Sequence, residues 1–367
     1  MIATSQKSRP RFALAHDYFT QSGGAERVAL TLAQVLKVRE IATALSEPDS
    51  TFPEVGQFNL KNSFLNKIPA FRRDPRLAFP MLPLAWLLRR REEAQIVVAS
   101  SSGWAHAIRV RKDAKKVVYC HNPPRWLYQP EDYLQNQSRF VKVVLATVRP
   151  VLLHLDRAAA SSADLYLANS SSVAERIRRA YGREAEIVFP PVSFEANASQ
   201  DAVPGLADEF FFTIARGRGY KGTAKLVEAF ERLPDRTLVI AGSSSLARSL
   251  PPNIVSLGHV SDAQLRWLYS KSRALISVSH EDFGLTPLEA NAAGTPVLVL
   301  AAGGFLDSTE EGVSGAFIKD DSVDSIIEAV CAFRDDWDQE KVIAHAAKFS
   351  TAAFEVRLGK ILATLHS

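Results

Sequence analysis

Short apolar runs alternate along the chain with segments in which apolar residues recur every three or four positions. The first run, RFALAHD, leads through a glycine turn into AERVALTLAQVL, where Ala25, Val28, Ala29, Leu32 and Val35/Leu36 share one helical face. AQIVVAS, KKVVYC and DLYLANS continue the series. Each run closes on polar residues: His16-Asp17, Ser100-Ser101-Ser102, His121-Asn122 and Asn169-Ser170-Ser171. β-Branched runs alternating with helical patterns predict βαβ units and a parallel sheet. The rhythm breaks at EIVFPPVSFEANASQDAVPGLADE and resumes with EFFFTIARG, TLVIAGSS, NIVSLGH, ALISVSH and TPVLVLAA. These later runs are continuously apolar, as expected of strands covered on both faces. The pattern predicts an α/β protein with a first parallel-sheet domain over 1–190 and a linker over 191–208. A second such domain follows over 209–345. The last amphipathic helix, TAAFEVRLGKILATL in 346–367, is placed to cross back to the first domain. Open parallel sheets take ligands at the carboxyl ends of their strands, so a cleft lined by those polar clusters is the expected site.

Composition narrows the functional classes. The 367 residues suffice for two cores, and 47% hydrophobic with 23% charged residues argues against disorder. Lys plus Arg number 44 against 40 Asp plus Glu, too small an excess to imply nucleic acid, and no aromatic-plus-basic RNA signature is present. Cys120 and Cys331 alone make neither a disulfide framework nor a zinc spacing. MIATSQKSRPRFALAHD lacks the apolar core of a signal peptide, and Lys142, Arg149 and Pro150 interrupt VKVVLATVRPVLLHL, so a cytoplasmic protein is expected. The basic residues are uneven, with Arg72, Arg73, Arg76, Arg89, Arg90, Arg91, Arg109, Arg111, Lys112, Lys115 and Lys116 close together. FRRDPRLAFPMLPLAWLLRRR alternates cations with Phe79, Met81, Leu82, Leu84, Trp86, Leu87 and Leu88. One reading is peripheral association with the inner face of an anionic membrane, Trp86 sitting at the interface. The other is solvated charge, with Leu84, Leu87 and Leu88 packed inside the domain.

The richest stretch is SVSHEDFGLTPLEANAAGTPVLVL. A strand is expected to end at Ser279, and Thr286-Pro287-Leu288-Glu289 reads as a capping box with proline at the first helical position. Helix capping is therefore the structural alternative for Glu289. Gly294 ends the helix and Pro296 follows it. Functionally, such a strand–loop–helix aims backbone N–H groups and a dipole at an anion or at sugar hydroxyls. Two carboxylates eight residues apart suit the two ends of a ligand.

Glu281 and Glu289 with DFGLTPL between them resemble the E-x7-E motif of the retaining GT-B glycosyltransferases of family 4. The surrounding S-x-x-E-x-F-G-L-x-x-L-E-A-x-A-x-G-x-P-V pattern extends the match, and the resemblance runs over nearly the whole chain. It implies a GT-B fold, two Rossmann-like domains facing across a cleft, and a nucleotide-sugar donor. By that resemblance Glu289 holds the ribose hydroxyls and Glu281 lies against the donor sugar. Phe283, Gly284, Leu285 and Thr286 supply backbone contacts.

In ARGRGYKGTAKLVEAF, GRGYKG fits G-x-G-x-x-G after a strand. The next strand, however, ends in Gly242-Ser243 where NAD binding wants a carboxylate, and no Gly-Lys-Ser/Thr follows for a Walker A loop. Arg216 and Lys221 instead resemble the family's R-x(4)-K pair, which neutralises the donor diphosphate. Fixed cations stabilise a departing diphosphate, so neither metal nor cofactor is expected. Gly23-Gly24 is similar to the loop that meets phosphates and acceptor, and Gly258-His259-Val260 to the loop that cups the nucleobase. CHNPPRWL resembles the C-H-x-P-x-R-x-L/Y segment of members that build bacterial surface polysaccharides, often mannosyltransferases. That places His121 beside the reacting sugar, and Arg125 and Trp126 at the acceptor. Asp307 stands where many relatives have glutamate and receives no contact. His106 reads as structural, and Asp336-Trp337-Asp338, although a formal D-x-D, reads as solvated surface.

The function implied is retaining transfer of a sugar, GDP-mannose being the favoured donor, to a hydroxyl of a glycan or lipid-linked acceptor. A catalytically silent nucleotide-sugar-binding protein and a GT-B nucleotide-sugar epimerase are the alternatives. A phosphorylase would want a pyridoxal-phosphate lysine, for which there is no context.

Overall fold

The computed structural model describes residues 11–130, 139–195, 198–206, 209–215, 221–242 and 249–365. Among the described residues the apolar runs assemble into two separate sheets, both parallel throughout. The first has seven strands, β1 (Phe12–Phe19), β2 (Glu40–Ser46), β3 (Asn59–Asn62), β4 (Ile96–Ser101), β5 (Lys115–Cys120), β6 (Leu165–Ala168) and β7 (Glu186–Ile187), in the order β3-β2-β1-β4-β5-β6-β7. The second has six, β8 (Phe211–Ala215), β9 (Leu238–Gly242), β10 (Ile254–Gly258), β11 (Ala274–Ser277), β12 (Val297–Leu300) and β13 (Gly315–Ile318), in the order β10-β9-β8-β11-β12-β13. Strand order reverses between β1 and β4 and again between β8 and β11. Those are the switch points outside which ligands bind in open α/β sheets.

Burial on both faces explains the continuous apolar strands. Side chains alternate across a strand, so Phe211 packs with Leu226, Phe230 and Ile276 on one face of the second sheet, while Phe212 packs with Tyr269, Leu275 and Val299 on the other. In the first sheet Ala15, Leu45, Val97, Ala99 and Val118 share a core with Trp86, Trp104 and Tyr166.

The chain divides into two compact units, Met1–Phe189 with Glu355–Ser367, and Pro190–Phe354. The last helix, Thr351–Thr364, therefore contributes its residues from Glu355 onward to the first unit, where Arg357 lies 3.9 Å from Glu186. Among the described residues no helix is long and apolar enough to cross a membrane.

Both expectations for the basic stretch are inverted. Pro75–Met81 winds as a 3-10 helix containing Pro80 and runs into a short α-helix, Leu82–Leu87. At three residues per turn the inward face falls out of phase with the α-helical spacing. Trp86 is 0% exposed and packs in the core with Phe79 and Leu82, whereas Leu84 is 47% and Leu88 69% exposed. Trp86 therefore cannot sit at a membrane interface, and Leu84, Leu87 and Leu88 do not pack inside. Arg89 is also committed, donating to the carbonyls of Thr43 at 3.2 Å and Lys61 at 2.8 Å.

Candidate functional site

In the second unit, β11 ends at Ser277 and the chain turns through 278–284 into the helix Leu285–Ala292. Gly284 precedes that helix with φ 98°, a left-handed conformation that L residues rarely adopt. The helix thus starts before Thr286, Pro287 is its third residue, and no side chain caps it. The expected capping box is absent, because Glu289, fifth in the helix, lies beyond the first turn. Its Oε2 instead accepts a hydrogen bond from the Tyr269 hydroxyl at 2.8 Å. Tyr269, on the helix Asp262–Lys271, is buried with its ring against Phe194 and Phe212. A phenol locked in the core therefore orients the carboxylate.

Glu281 is held from within its own loop. Ser279 Oγ donates to its Oε1 at 3.2 Å and pairs with Ser277 Oγ at 2.9 Å. The loop rests directly on Gly303 and Gly304, a pair without a role in the sequence reading. Gly304 N–H donates to the Glu281 carbonyl at 2.9 Å. A Cβ on Gly304 would stand 2.1 Å from Phe283 Cα, and one on Gly303 2.5 Å from the Glu281 carbonyl oxygen. The Phe283 side chain is buried against Phe349, 5.8 Å between ring centroids. It belongs to the core.

Thr213, Gly222, Ser277, Ser279, Glu281 and Thr286 line one cavity of this unit, at the β8/β11 switch point. Gly222 is the second residue of the helix Lys221–Glu231, so the first turn of that helix borders the same space. The side chain of Lys221, and Arg216 with the rest of 216–220, lie outside the described residues. Gly258, with φ 66°, ends the edge strand β10 after a register shift; beyond it His259 is exposed and Val260 half-buried. Asp307 falls in a short helix, Phe305–Ser308, just after the glycine pair. Asp338 accepts from the Lys341 N–H at the start of the helix Gln339–Ala347 and Asp336 pairs with Arg334, so each has a structural partner.

In the first unit the polar strand ends meet at the β1/β4 switch point. His16 and Ser100 are register partners across β1 and β4, and His121 follows β5. Ser100 Oγ lies 3.0 Å from His16 Nδ1 and 2.8 Å from His121 Nε2. Asp17 takes no part in this chain. Its two oxygens accept from the backbone N–H groups of Ser102, Gly103, Trp104 and Ala105 at 2.6–2.8 Å, which pins the loop after β4. His106 is buried beside Asp156, Nε2 to Oδ1 3.1 Å, consistent with a structural role.

Gly23 is the N-cap of the helix Gly24–Val35, but the first turn already holds a carboxyl group. Glu26 is buried, and its Oε2 lies where a Cβ on Gly23 would come within 2.5 Å. Burial pushes its pKa up to about 7, against the pull of backbone N–H groups and the Gln21 amide, with the Asp17 charge adding to the rise. The Gly23-Gly24 turn therefore faces its own acid, which the sequence reading missed. Trp126 also departs from expectation. It is 5% exposed and stacks on Phe79 at 5.1 Å, its ring committed to the core, so it offers no aromatic face to an acceptor. Arg125 beside it is half-buried.

Known proteins share this architecture and these segments. Residues 22–195 match the model of Glycosyltransferase Family 4, and residues 196–349 that of Glycosyl transferases group 1. Its two domains are those of a family 4-like GT-B glycosyltransferase. An uncharacterised glycosyltransferase of Methanocaldococcus jannaschii is 33% identical over 38% of this glycosyltransferase-family chain and 40% of its own length. A D-inositol 3-phosphate glycosyltransferase of Kribbella flavida is 26% identical over 51% of the chain and 52% of its own. The chain thus spans about half the length of the curated relatives it matches. Among solved structures, Anabaena HepE in complex with UDP and glucose superposes with a TM-score of 0.69 at 19% identity, covering 96% of this chain and 99% of that one. Sucrose-phosphate synthase from Thermosynechococcus elongatus superposes with a TM-score of 0.66 at 16% identity, covering 98% and 99%. Two parallel-sheet α/β domains of the GT-B type are what these similarities share.

Proposed function

We propose that the chain is a retaining, metal-independent transferase that moves a sugar from a nucleotide-diphosphate-sugar to a hydroxyl of a glycan or lipid-linked acceptor. The observation that carries this reading is the carboxylate of Glu289, oriented by Tyr269 and released from helix capping, on the same strand–loop–helix as Glu281. Glu289 would take the donor ribose and Glu281 the donor sugar. Arg216 and Lys221 would offset the charge growing on the leaving diphosphate. The acceptor oxygen bonds to the anomeric carbon from the face the diphosphate leaves. The carbon–oxygen bond to phosphate breaks, and the acceptor proton passes to the departing phosphate oxygen. The donor candidates are GDP-mannose, from the CHNPPRWL segment, and UDP-glucose, which the Anabaena protein binds.

Release of nucleoside diphosphate from a panel of UDP- and GDP-sugars tests the reading. One donor should turn over slowly in water and faster with an acceptor, giving a product of unchanged anomeric configuration. Tight binding without turnover would indicate a silent binder. Recovery of an epimerised nucleotide-sugar would indicate an epimerase.

We also propose that the first unit docks peripherally on an anionic membrane at its cytoplasmic face, through the outer side of 73–91. Support comes from exposed Leu77, Leu84, Leu87 and Leu88 lying among exposed Arg73, Arg76, Arg90 and Arg91. Each cation near such a surface contributes about 1 kcal/mol. Sedimentation with liposomes should rise with anionic lipid and fall with salt, and Leu84→Asp with Leu88→Asp should weaken it. Equal recovery in the supernatant with neutral and anionic liposomes at low salt would rule this docking out.

A further inference from the structure

His16, Ser100 and His121 form a hydrogen-bonded chain whose proton positions follow from its acceptors. His16 Nδ1 lies 3.2 Å from the Ser100 carbonyl oxygen and 3.0 Å from Ser100 Oγ. A carbonyl only accepts, so the hydrogen is on His16 Nδ1 and is shared between the two oxygens. Ser100 Oγ, already accepting from His16, has its single hydrogen left for His121 Nε2 at 2.8 Å. A hydrogen on that nitrogen as well would make Ser100 Oγ accept twice and leave its own buried hydrogen without an acceptor among the described residues. The favoured arrangement therefore puts the lone pair on Nε2 and the ring proton of His121 on Nδ1. The environment keeps the chain neutral at its inner end. His16 is buried, and burial lowers its pKa to about 4, against the pull of the Ser100 and Tyr18 backbone carbonyls. Asp17 tends to raise it and His121 to lower it further. Asp17 does not compete for the His16 proton, since its oxygens are filled by backbone N–H groups. All three side chains are buried.

We propose that His16 and Ser100 are positioning residues that lock His121 in its Nδ1–H tautomer, so that the ring can only donate, not accept, at Nδ1. This rests on the reading of His121 as a neighbour of the reacting sugar. There, an Nδ1–H selects a sugar hydroxyl that accepts. A histidine's tautomer is set by the hydrogen bond its other nitrogen makes.

The direct test is an NMR correlation of ring nitrogens with ring protons on the histidine-¹⁵N-labelled full chain, with His121 assigned from His121→Gln. Wild type should show an unprotonated Nε2 and a protonated Nδ1. Ser100→Ala should shift His121 to a mixture of tautomers, and His16→Phe should do so in part. His16→Asn, whose amide N–H replaces the Nδ1 donor, should restore the wild-type pattern. With the donor found above, Ser100→Ala should lower kcat about tenfold with little change in KM. A protonated Nε2 on His121 in wild type overturns the proposal, even if Ser100→Ala fails to fold. An unchanged His121 pattern in folded Ser100→Ala overturns it equally. If the tautomer is as stated and no donor turns over, the proposed function fails while the lock stands.

Discussion

Gly304→Ala is expected to lower turnover by about 10²-fold or more while leaving most of the molecule folded. The added Cβ would lie 2.1 Å from Phe283 Cα and 2.4 Å from both Phe283 N and the Asp282 carbonyl oxygen. These are backbone atoms, so no flexible side chain can swing away, and the 281–284 loop itself must move. Overpacking of this kind costs about 1–3 kcal/mol of stability. A displacement near 1 Å in a group that positions substrate costs about 10²-fold in rate. Gly359→Ala is a fitting control, since a Cβ there meets nothing within 4 Å and the residue lies in a helix. Melting temperature and kcat should be measured together. Near-normal turnover in Gly304→Ala would mean that the loop does not hold the reacting sugar.

Lys221→Ala and Arg216→Ala should each lower turnover by about 10²–10³-fold, the usual cost of removing one preorganised group that stabilises developing charge. Lys221 opens the helix whose next residue, Gly222, borders the cavity shared with Glu281. A cation at that position reinforces the positive end of the helix dipole toward a leaving diphosphate. Wild-type activity should survive EDTA, and Mn²⁺ should not rescue either variant. Full activity in Lys221→Ala, or metal-dependent wild-type activity, would overturn this assignment.

Both sheets were legible because their central strands, such as Ile96–Ser101 and Leu238–Gly242, are covered on both faces and read as unbroken apolar runs. The elements that were not foreseen lack that signal. β2, EIATALS, is buried but built of small and β-branched residues; β3 is polar; β7 has two residues and β13 four. The Glu281–Glu289 motif was legible because it is contiguous. Its supports were not, since Tyr269 and Gly303-Gly304 reach it from other elements. Ser100 and His16 were visible only as polar strand ends until sheet register made them neighbours. The capping box misled because Gly284, by adopting φ 98°, starts the helix early. The membrane face misled because a 3-10 segment shifts the periodicity before Trp86.

The most direct test of the central claim is the affinity of the cognate nucleoside diphosphate and of its 2′,3′-dideoxy counterpart for wild type and Glu289→Gln. A hydrogen bond to a charged group is worth about 1.5–3 kcal/mol, so wild type should bind the dideoxy ligand about 10- to 100-fold more weakly. Glu289→Gln, lacking the ionised acceptor, should bind both ligands with nearly equal, reduced affinity. Wild type that does not distinguish the two ligands, or a variant that distinguishes them as well as wild type, would contradict the account.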